Sequence, residues 1–184
     1  MDKLPLVLTV IIMVLPLVWT LTDPRNPKER VKAYFNLRSG FYFLAEVILV
    51  LGTLFGSQNF PWPRTSFDSL IITLGLVLFL NGIFIAVWAK VTMKSSWGMP
   101  AQHDIKRQNK IIRKGPFSFS RNPIYLGLIL VFLGYTLALR SYTILLIPIV
   151  IVYFYRAVLK EEKILAKHFG KEYMEYRSIV RRFI

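Results

Sequence analysis

Long apolar runs alternate with basic loops along this chain of 184 residues, and this alternation constrains the fold more than any other feature. Five apolar segments lie at about 4–21, 40–56, 69–89, 124–139 and 142–158. The third is the cleanest, with roughly twenty apolar residues, enough for a helix to cross the hydrocarbon core of a bilayer. The pattern predicts an all-α integral membrane protein with about five transmembrane helices.

The composition excludes several classes of function. Apolar residues make up 54% of the chain and the net charge is +14, but no cysteine is present. Disulfides, thiolate catalysis and zinc–thiolate sites are therefore excluded. His103 and His168 are far apart in sequence, so we expect no metal site. The basic residues lie beside apolar segments, and attraction to anionic lipid headgroups explains them more simply than nucleic acid does.

The distribution of lysine and arginine predicts the orientation in the membrane. Most of these residues lie in the 23–39 loop, the 90–123 loop and the tail from residue 156, whereas the opposite side has only Lys3, Arg64 and Arg140. With five crossings the two sets fall on opposite faces. The positive-inside rule then places the N-terminus outside and the C-terminus in the cytoplasm. We expect a multi-pass protein of a prokaryotic plasma membrane.

The last two apolar segments are separated only by Arg140-Ser141, which predicts a tight antiparallel helical hairpin. Beyond them, apolar and aromatic residues recur at three- and four-residue steps from Lys160 onward. This spacing predicts a cytosolic amphipathic helix. Gly170 interrupts it and marks a break between two helical pieces.

A dense polar motif, Arg121-Asn122-Pro123, lies just before the hairpin. Proline suits the first turn of a helix and Asn122 is a good N-cap, so a capped helix start would explain these residues without any function. A helix N-terminus at the membrane boundary is also an anion site. Arg121 would strengthen its hold on a carboxylate or phosphate.

Further charged and polar residues are candidates for function. Glu161-Glu162 could be a solvated pair, a general base, or a group that binds an ammonium or ribose hydroxyls. Arg156 either extends to the lipid headgroups or faces a carboxylate substrate. Within the apolar segments, Glu46 is a functional candidate and Asn81 predicts an interhelical hydrogen bond.

Three features occur together and in order: the Gly115–Tyr125 run, the Glu161-Glu162 pair and the tail Phe169-Gly170-x-x-Tyr173-x-x-Tyr176. From about Ala101 to the C-terminus, the chain resembles the membrane-embedded methyltransferases of the isoprenylcysteine carboxyl methyltransferase and phospholipid N-methyltransferase superfamily. The resemblance implies S-adenosylmethionine as methyl donor, bound in a cytosol-facing pocket, and S-adenosylhomocysteine as product. It also implies an N-terminal three-helix region, 1–100, and a cofactor-binding and catalytic region, 101–184, that form one functional unit.

The same resemblance assigns residues to the site. Those implied in cofactor binding are Gln102, Asn109, Lys110, Ile111, Ile112, Gly115, Phe117, Arg121, Asn122, Pro123, Tyr125, Glu161 and Glu162. Catalytic roles are implied for Glu161, Glu162 and Arg156, the last as the nearest counterpart of the family's substrate-binding arginine. The family commonly has histidine where this chain has Asn122, which forms hydrogen bonds but does not titrate near neutral pH.

Methyl transfer from a sulfonium requires the nucleophile, the methyl group and the sulfur in line, with water excluded. A carboxylate acceptor is already ionised and needs only a positioned cation, whereas a protonated amine needs a base. We predict methyl transfer to a lipophilic acceptor at the cytosolic interface, with an isoprenylcysteine-type carboxylate preferred over a phospholipid amine or a thiol. The alternatives are an NADPH-dependent lipid or steroid reductase and a non-catalytic membrane adaptor.

Overall fold

The computed structural model describes residues 3–23, 26–28, 37–60, 62–93 and 110–184, and these ranges contain helices and no β-strand. The helices are α1 (Leu4–Ile12), α2 (Val14–Leu21), α3 (Leu37–Asn59), α4 (Asp68–Met93), α5 (Pro123–Ala138), α6 (Ile147–Phe169) and α7 (Lys171–Ile179), with 3₁₀ turns at Gly115–Ser118 and Tyr142–Leu146. This arrangement confirms the predicted all-α membrane fold.

Three helical stretches are long and apolar enough to cross a membrane, judged by length and composition: Leu4–Leu21, Asp68–Met93 and Tyr142–Phe169. The second predicted segment coincides with α3, which has 23 residues. By contrast, α5 has 16 residues. At 1.5 Å per residue it is about 24 Å long, shorter than the ~30 Å hydrocarbon core. A helix of this length ends below one surface unless its ends are covered by other parts of the protein.

The first apolar segment is divided into two helices at Met13. The cause is Pro16, which has no N–H to donate to the carbonyl four residues earlier, at Ile12. Beside the break, the Met13 N–H reaches Thr9 O at a long 3.4 Å. The Thr9 hydroxyl lies 2.8 Å from the Tyr135 hydroxyl and so links this segment to α5.

Helices α4 and α5 are antiparallel and touch backbone to backbone. The glycines at this contact are Gly75 and Gly82 on α4 and Gly127 and Gly134 on α5. A Cβ atom placed on Gly134 would lie 2.3 Å from Phe79 N, and one on Gly75 would lie 2.4 Å from Ala138 N. Small residues allow membrane helices to approach this closely. The contact fixes the start of α5 beside the end of α4.

Contacts at the helix ends show that the helices alternate in direction. At one end, which we call the turn end (residues 59–68 and 139–146), Arg140 Nη1 lies 2.8 Å from Asp68 Oδ2. At the opposite end, Lys90 near the end of α4 donates to Thr22 O just after α2, at 3.3 Å. Thr22 and Lys90 therefore lie at one end of the bundle and Asp68 and Arg140 at the other, while the number of crossings and the orientation stay predictions.

Two details of the structure differ from the prediction. The residues from Lys160 are helical, as predicted, but they continue α6 to Phe169 rather than forming a separate helix. The predicted break at Gly170 is confirmed, with φ of +56°. The Asn81 amide donates to Val77 O of its own helix, at 2.8 Å, and makes no interhelical bond among the described contacts. The proposed division at residue 100 falls outside the described residues and stays a prediction.

Candidate active site

The start of α5 is held by a short irregular segment. The 3₁₀ turn at Gly115–Ser118 begins with Gly115 at φ +60°, and a Cβ there would lie 3.0 Å from Thr92 Oγ1. Glycine is favoured because this backbone conformation is strained for other residues. The Ser120 hydroxyl then accepts a hydrogen bond from the Asn122 N–H, at 3.2 Å. The turn thereby sets Arg121 and Asn122 at the first turn of α5.

Asn122 occupies the N-cap position, but its side chain makes no capping hydrogen bond, contrary to prediction. Its amide instead donates to Glu162 Oε1 and to the carbonyl of Arg182, both at 3.1 Å. These two bonds use the donor group of the amide, and they orient the side chain toward α6 and the C-terminal segment rather than along its own helix. Asn122 thus joins the start of α5 to α6 and to the C-terminal segment.

Glu162 is the centre of the site and its side chain is only 6% exposed. Arg182 binds it with two parallel hydrogen bonds, Nε to Oε1 at 3.1 Å and Nη2 to Oε2 at 3.0 Å. On the other side, Arg121 Nη2 lies 3.3 Å from Oε1. A buried carboxylate requires such compensation, because burial of an unpaired charge is costly. One carboxylate therefore lies between two guanidinium groups.

Not all hydrogen-bond donors of Arg121 have an acceptor among the described residues. Its side chain is 7% exposed. Its Nε and Nη1 atoms are buried and have no hydrogen-bond acceptor among the described residues, and the same is true of the Tyr173 hydroxyl. Burial raises the pKa of Tyr173 to about 12, with a further rise from the negative charge of Glu162 and an opposing effect of Arg121. Tyr173 is therefore neutral at physiological pH and keeps its O–H available as a donor.

The neighbouring Glu161 is half-buried and accepts a hydrogen bond from the Tyr125 hydroxyl at 2.7 Å. Tyr125 is held from the side by Phe154, whose ring packs edge-on at 5.5 Å between centroids. Both acidic residues of the pair thus contact α5 rather than pointing into solvent, and the solvated-pair interpretation does not hold.

The C-terminal segment folds back over the start of α5. Tyr176 on α7 donates to Phe117 O at 2.7 Å, and burial raises the pKa of its phenol. Further along, the Arg121 N–H donates to Arg181 O at 2.9 Å. We call the region formed by residues 115–125, 155–162 and 173–183 the site end of the molecule.

Some of the site residues predicted from the sequence lie together at the site end, and others do not. Those that are buried or half-buried at the site end are Gly115, Phe117, Arg121, Asn122, Pro123, Tyr125, Glu161 and Glu162. Ile111 packs near Tyr173 and Tyr176, Ile112 packs against the main core, and Lys110 is exposed. Gln102 and Asn109 lie outside the described residues. Arg156 is exposed on α6, and the described ion pairs of Glu162 are with Arg121 and Arg182.

Arg182, Ser120 and the phenol of Tyr173 also belong to this region, but they were not predicted from the sequence. Arg182 was counted only as one of many basic residues in the tail. It follows α7 in a non-helical segment, so no periodicity aligns it with Glu162. The sequence feature that could have indicated this contact is Gly170. Its positive φ ends α6 and lets the chain turn back toward α5.

Comparison with known proteins defines the class. The phospholipid methyltransferase family model matches residues 70–172, more than half of the chain and most of the site end. The chain belongs to this family and is a membrane methyltransferase. It is also similar to the protein-S-isoprenylcysteine O-methyltransferase of Saccharomyces cerevisiae, with 28% identity over 171 residues that cover 89% of this chain and 72% of the yeast protein. These similarities confirm the resemblance inferred from the motifs.

Proposed function

We propose that this protein uses S-adenosylmethionine to methylate a carboxylate of isoprenylcysteine type on a lipophilic acceptor. The observation that carries the proposal is the state of Arg121. Its guanidinium is buried against Glu162, yet Nε and Nη1 lack an acceptor among the described residues. Buried donors of this kind are normally satisfied, and a charged donor is best satisfied by an anion. The amino-acid carboxylate of the cofactor is such an anion.

The other residues of the site end also fit this cofactor, which supplies a methyl group on a sulfonium sulfur. Glu161 and Glu162 are acceptors suited to its ammonium group or ribose hydroxyls. Phe117 and Tyr125 are buried beside them and offer apolar ring surface. The remaining residues proposed to line the site are Gln102, Asn109, Lys110, Ile111, Ile112, Gly115, Asn122 and Pro123.

The contribution of the chain to catalysis would then be positioning and exclusion of water. The side chains of Arg121 and Glu162 are fixed before any ligand arrives, because they contact each other across two elements and Glu162 is also held by Asn122 and Arg182. Charged groups held in a site with little water act strongly and need little reorganisation during the reaction. An in-line displacement benefits mainly from such preorganisation.

For the acceptor, Arg156 is our candidate for the cation that binds a carboxylate. It is exposed on α6, the helix that also bears Glu161 and Glu162. A carboxylate needs no base, and the name of the yeast relative specifies O-methylation of an S-isoprenylcysteine. The name of the matched family specifies phospholipids instead, so a phospholipid amine is the second candidate acceptor. In that case Glu161, hydrogen-bonded to Tyr125, would be the base.

We further propose that the site end faces the cytoplasm, because the basic C-terminal tail lies there and positively charged segments are retained on that side. The cofactor would enter from the aqueous phase. The acceptor would enter sideways from the lipid, since a long apolar chain is poorly soluble in water.

Cofactor binding is tested by isothermal titration of S-adenosylhomocysteine and of NADPH into the detergent-solubilised protein. We expect binding of S-adenosylhomocysteine, weakened about 30-fold or more by Arg121→Gln, because loss of a buried charged contact costs at least ~2 kcal/mol. Arg64→Gln is the matched control, since Arg64 is an exposed arginine at the turn end. Tight NADPH binding without S-adenosylhomocysteine binding would instead support a reductase.

The acceptor is tested with membranes that contain the protein and cofactor labelled on the methyl group. A farnesylated cysteine derivative and phosphatidylethanolamine are offered separately, and extracted lipid is treated with mild base. Label released by base indicates an ester and supports the carboxylate. Base-stable label on phosphatidylethanolamine supports the second candidate, and absence of label from both acceptors contradicts both.

A further inference from the structure

We propose that Arg182 is a positioning residue that holds Glu162 away from the free donors of Arg121, so that those donors stay open for a carboxylate of the cofactor. This inference rests on the proposed function. It concerns a residue that lies beyond the matched family region, which ends at residue 172. It assigns a role to a segment, Val180–Phe183, that follows the last helix.

The geometry of the pair supports a positioning role. Arg182 donates through Nε and Nη2 to the two different oxygens of Glu162, at 3.1 and 3.0 Å. Two parallel bonds fix the plane of a carboxylate as well as its position. The contact of Arg121 with the same carboxylate is a single one of 3.3 Å, which fixes neither. Asn122 adds one hydrogen bond to Oε1, at 3.1 Å, but Arg182 binds both oxygens and so contributes most to the orientation of Glu162.

Arg182 is itself held on two sides. Its Nη1 donates to the Tyr155 hydroxyl at 2.9 Å, and its guanidinium carbon lies 5.2 Å from the centre of that ring. Its main-chain carbonyl accepts hydrogen bonds from the Asn122 amide at 3.1 Å and the Ser120 hydroxyl at 3.4 Å. The pairing with Glu162 raises the pKa of Arg182, so its charge is retained. A side chain anchored in this way can hold Glu162 against a competing attraction.

The competing attraction comes from Arg121. Both residues have side chains that are less than a tenth exposed, and opposite charges attract strongly where little water is present. Without Arg182, Glu162 would keep one hydrogen bond, from Asn122, and its Oε2 could turn toward Nε and Nη1 of Arg121, the two donors without an acceptor in the described part of the chain. These are the donors that the proposed function reserves for the cofactor carboxylate. Removing Arg182 should therefore block the anion position without removing any group that touches the ligand.

This mechanism predicts selectivity that simple loss of structure would not produce. S-adenosylhomocysteine has the amino-acid carboxylate, whereas 5′-methylthioadenosine has the same nucleoside and sulfur without it. Arg182→Gln should weaken S-adenosylhomocysteine about tenfold or more, because Glu162 would then occupy the Arg121 donors that bind the ligand carboxylate, and it should change methylthioadenosine less than about threefold. Arg182→Lys keeps the charge but not the two parallel bonds, and should fall between wild type and Arg182→Gln.

The experiment is isothermal titration of both ligands into the detergent-solubilised full chain, with thermal melting to show that each variant is folded. Arg177→Gln is the matched control, because Arg177 is an exposed arginine in the last turn of α7. If wild type binds neither ligand, the proposed function fails. If wild type binds but Arg182→Gln behaves like Arg177→Gln, or loses both ligands equally, the positioning role is overturned.

Discussion

Both ends of the helix bundle contain a partly or fully buried arginine–carboxylate pair, but the two pairs are built differently. At the turn end, Arg140 uses Nη1 for Asp68 and Nη2 for the carbonyls of Trp62 and Pro63, at 2.7 and 3.0 Å. At the site end, two arginines share Glu162. In Arg140 only the buried Nε lacks an acceptor among the described residues, whereas Arg121 has both Nε and Nη1 free.

On the proposed function, this difference separates a structural ion pair from a binding site. Both amino groups of Arg140 are used to connect one loop with one turn, and Asp68 also accepts from Thr65 N and Oγ1. Among the described residues, Nε is then the one donor position of Arg140 that lacks an acceptor. The site end, in contrast, concentrates positive charge around one carboxylate and leaves donors open. An excess of oriented donors in a buried position is a feature of anion-binding sites rather than of structural ion pairs.

The largest expected effect comes from removing the charge of the carboxylate at each end of the bundle while keeping the shape of its side chain. Glu162→Gln leaves two guanidinium groups facing each other, and breaking a buried pair costs about 3–5 kcal/mol. We expect methyl transfer to fall by about 100-fold or more. Asp68→Asn should change the initial rate by less than about threefold, since Asp68 is partly exposed and far from the chemistry. Equal losses in labelled-methyl assays would remove the distinction between the two ends.

The contact between α4 and α5 supports both ends, and a substitution there should affect both together. Gly134→Ala places a methyl group 2.3 Å from Phe79 N, so the helices must separate. We expect a loss of about 1–3 kcal/mol, typical of overpacking. Gly52→Ala is the control, because its nearest neighbour would be at 4.0 Å and alanine favours helix. Thermal unfolding in detergent measures the difference, and equal melting temperatures would contradict the close contact.

Loss of the arginine at the turn end should reduce stability alone. Arg140→Gln removes the ion pair with Asp68 and two hydrogen bonds to carbonyls. Each such hydrogen bond contributes about 1 kcal/mol, so we expect a decrease of about 1–2 kcal/mol in the free energy of unfolding. Affinity for S-adenosylhomocysteine should be unchanged. A parallel loss of affinity would mean that the two ends are coupled.

The smallest effect concerns Tyr173 and appears only in alkali. Its pKa is raised from 10.0 to about 12 in the folded protein, mainly by burial. Below pH 10 the phenol is protonated in both states and contributes nothing to the pH dependence. Between pH 10 and about 12 the unfolded state ionises first, so stability falls as pH rises. Unfolding measured across this range should decline less steeply in Tyr173→Phe, and an unchanged slope would contradict the burial of this phenol.

The sequence predicted the helices well because membrane crossing imposes length and apolarity on each one, as the agreement of 69–89 with α4 illustrates. The motif-based grouping of Arg121, Asn122 and Glu162 also agreed with the structure, since these residues meet within 3.3 Å. Individual hydrogen bonds were not predictable. Asn122 was expected to cap its own helix, but its side chain is instead oriented by a hydrogen bond to Glu162, forty residues away in the sequence.

Arg182 shows why the rest of the site could not be inferred. Its pairing with Glu162 depends on the direction in which the chain leaves α7, and that direction is set by Gly170 and by Tyr176 bound to Phe117. Neither helical periodicity nor charge patterning contains this information. Among many basic residues in the tail, nothing local distinguished the one that turns inward.

The position of Arg181 and Arg182 in the chain has a consequence for biogenesis. A ribosome makes residues in order, so all the apolar helices are synthesised, and ready for insertion into the bilayer, before these two arginines exist. Until then Glu162 has only its described contacts with Arg121 and Asn122. The arrangement around this carboxylate is therefore completed only after the last membrane helix has been synthesised.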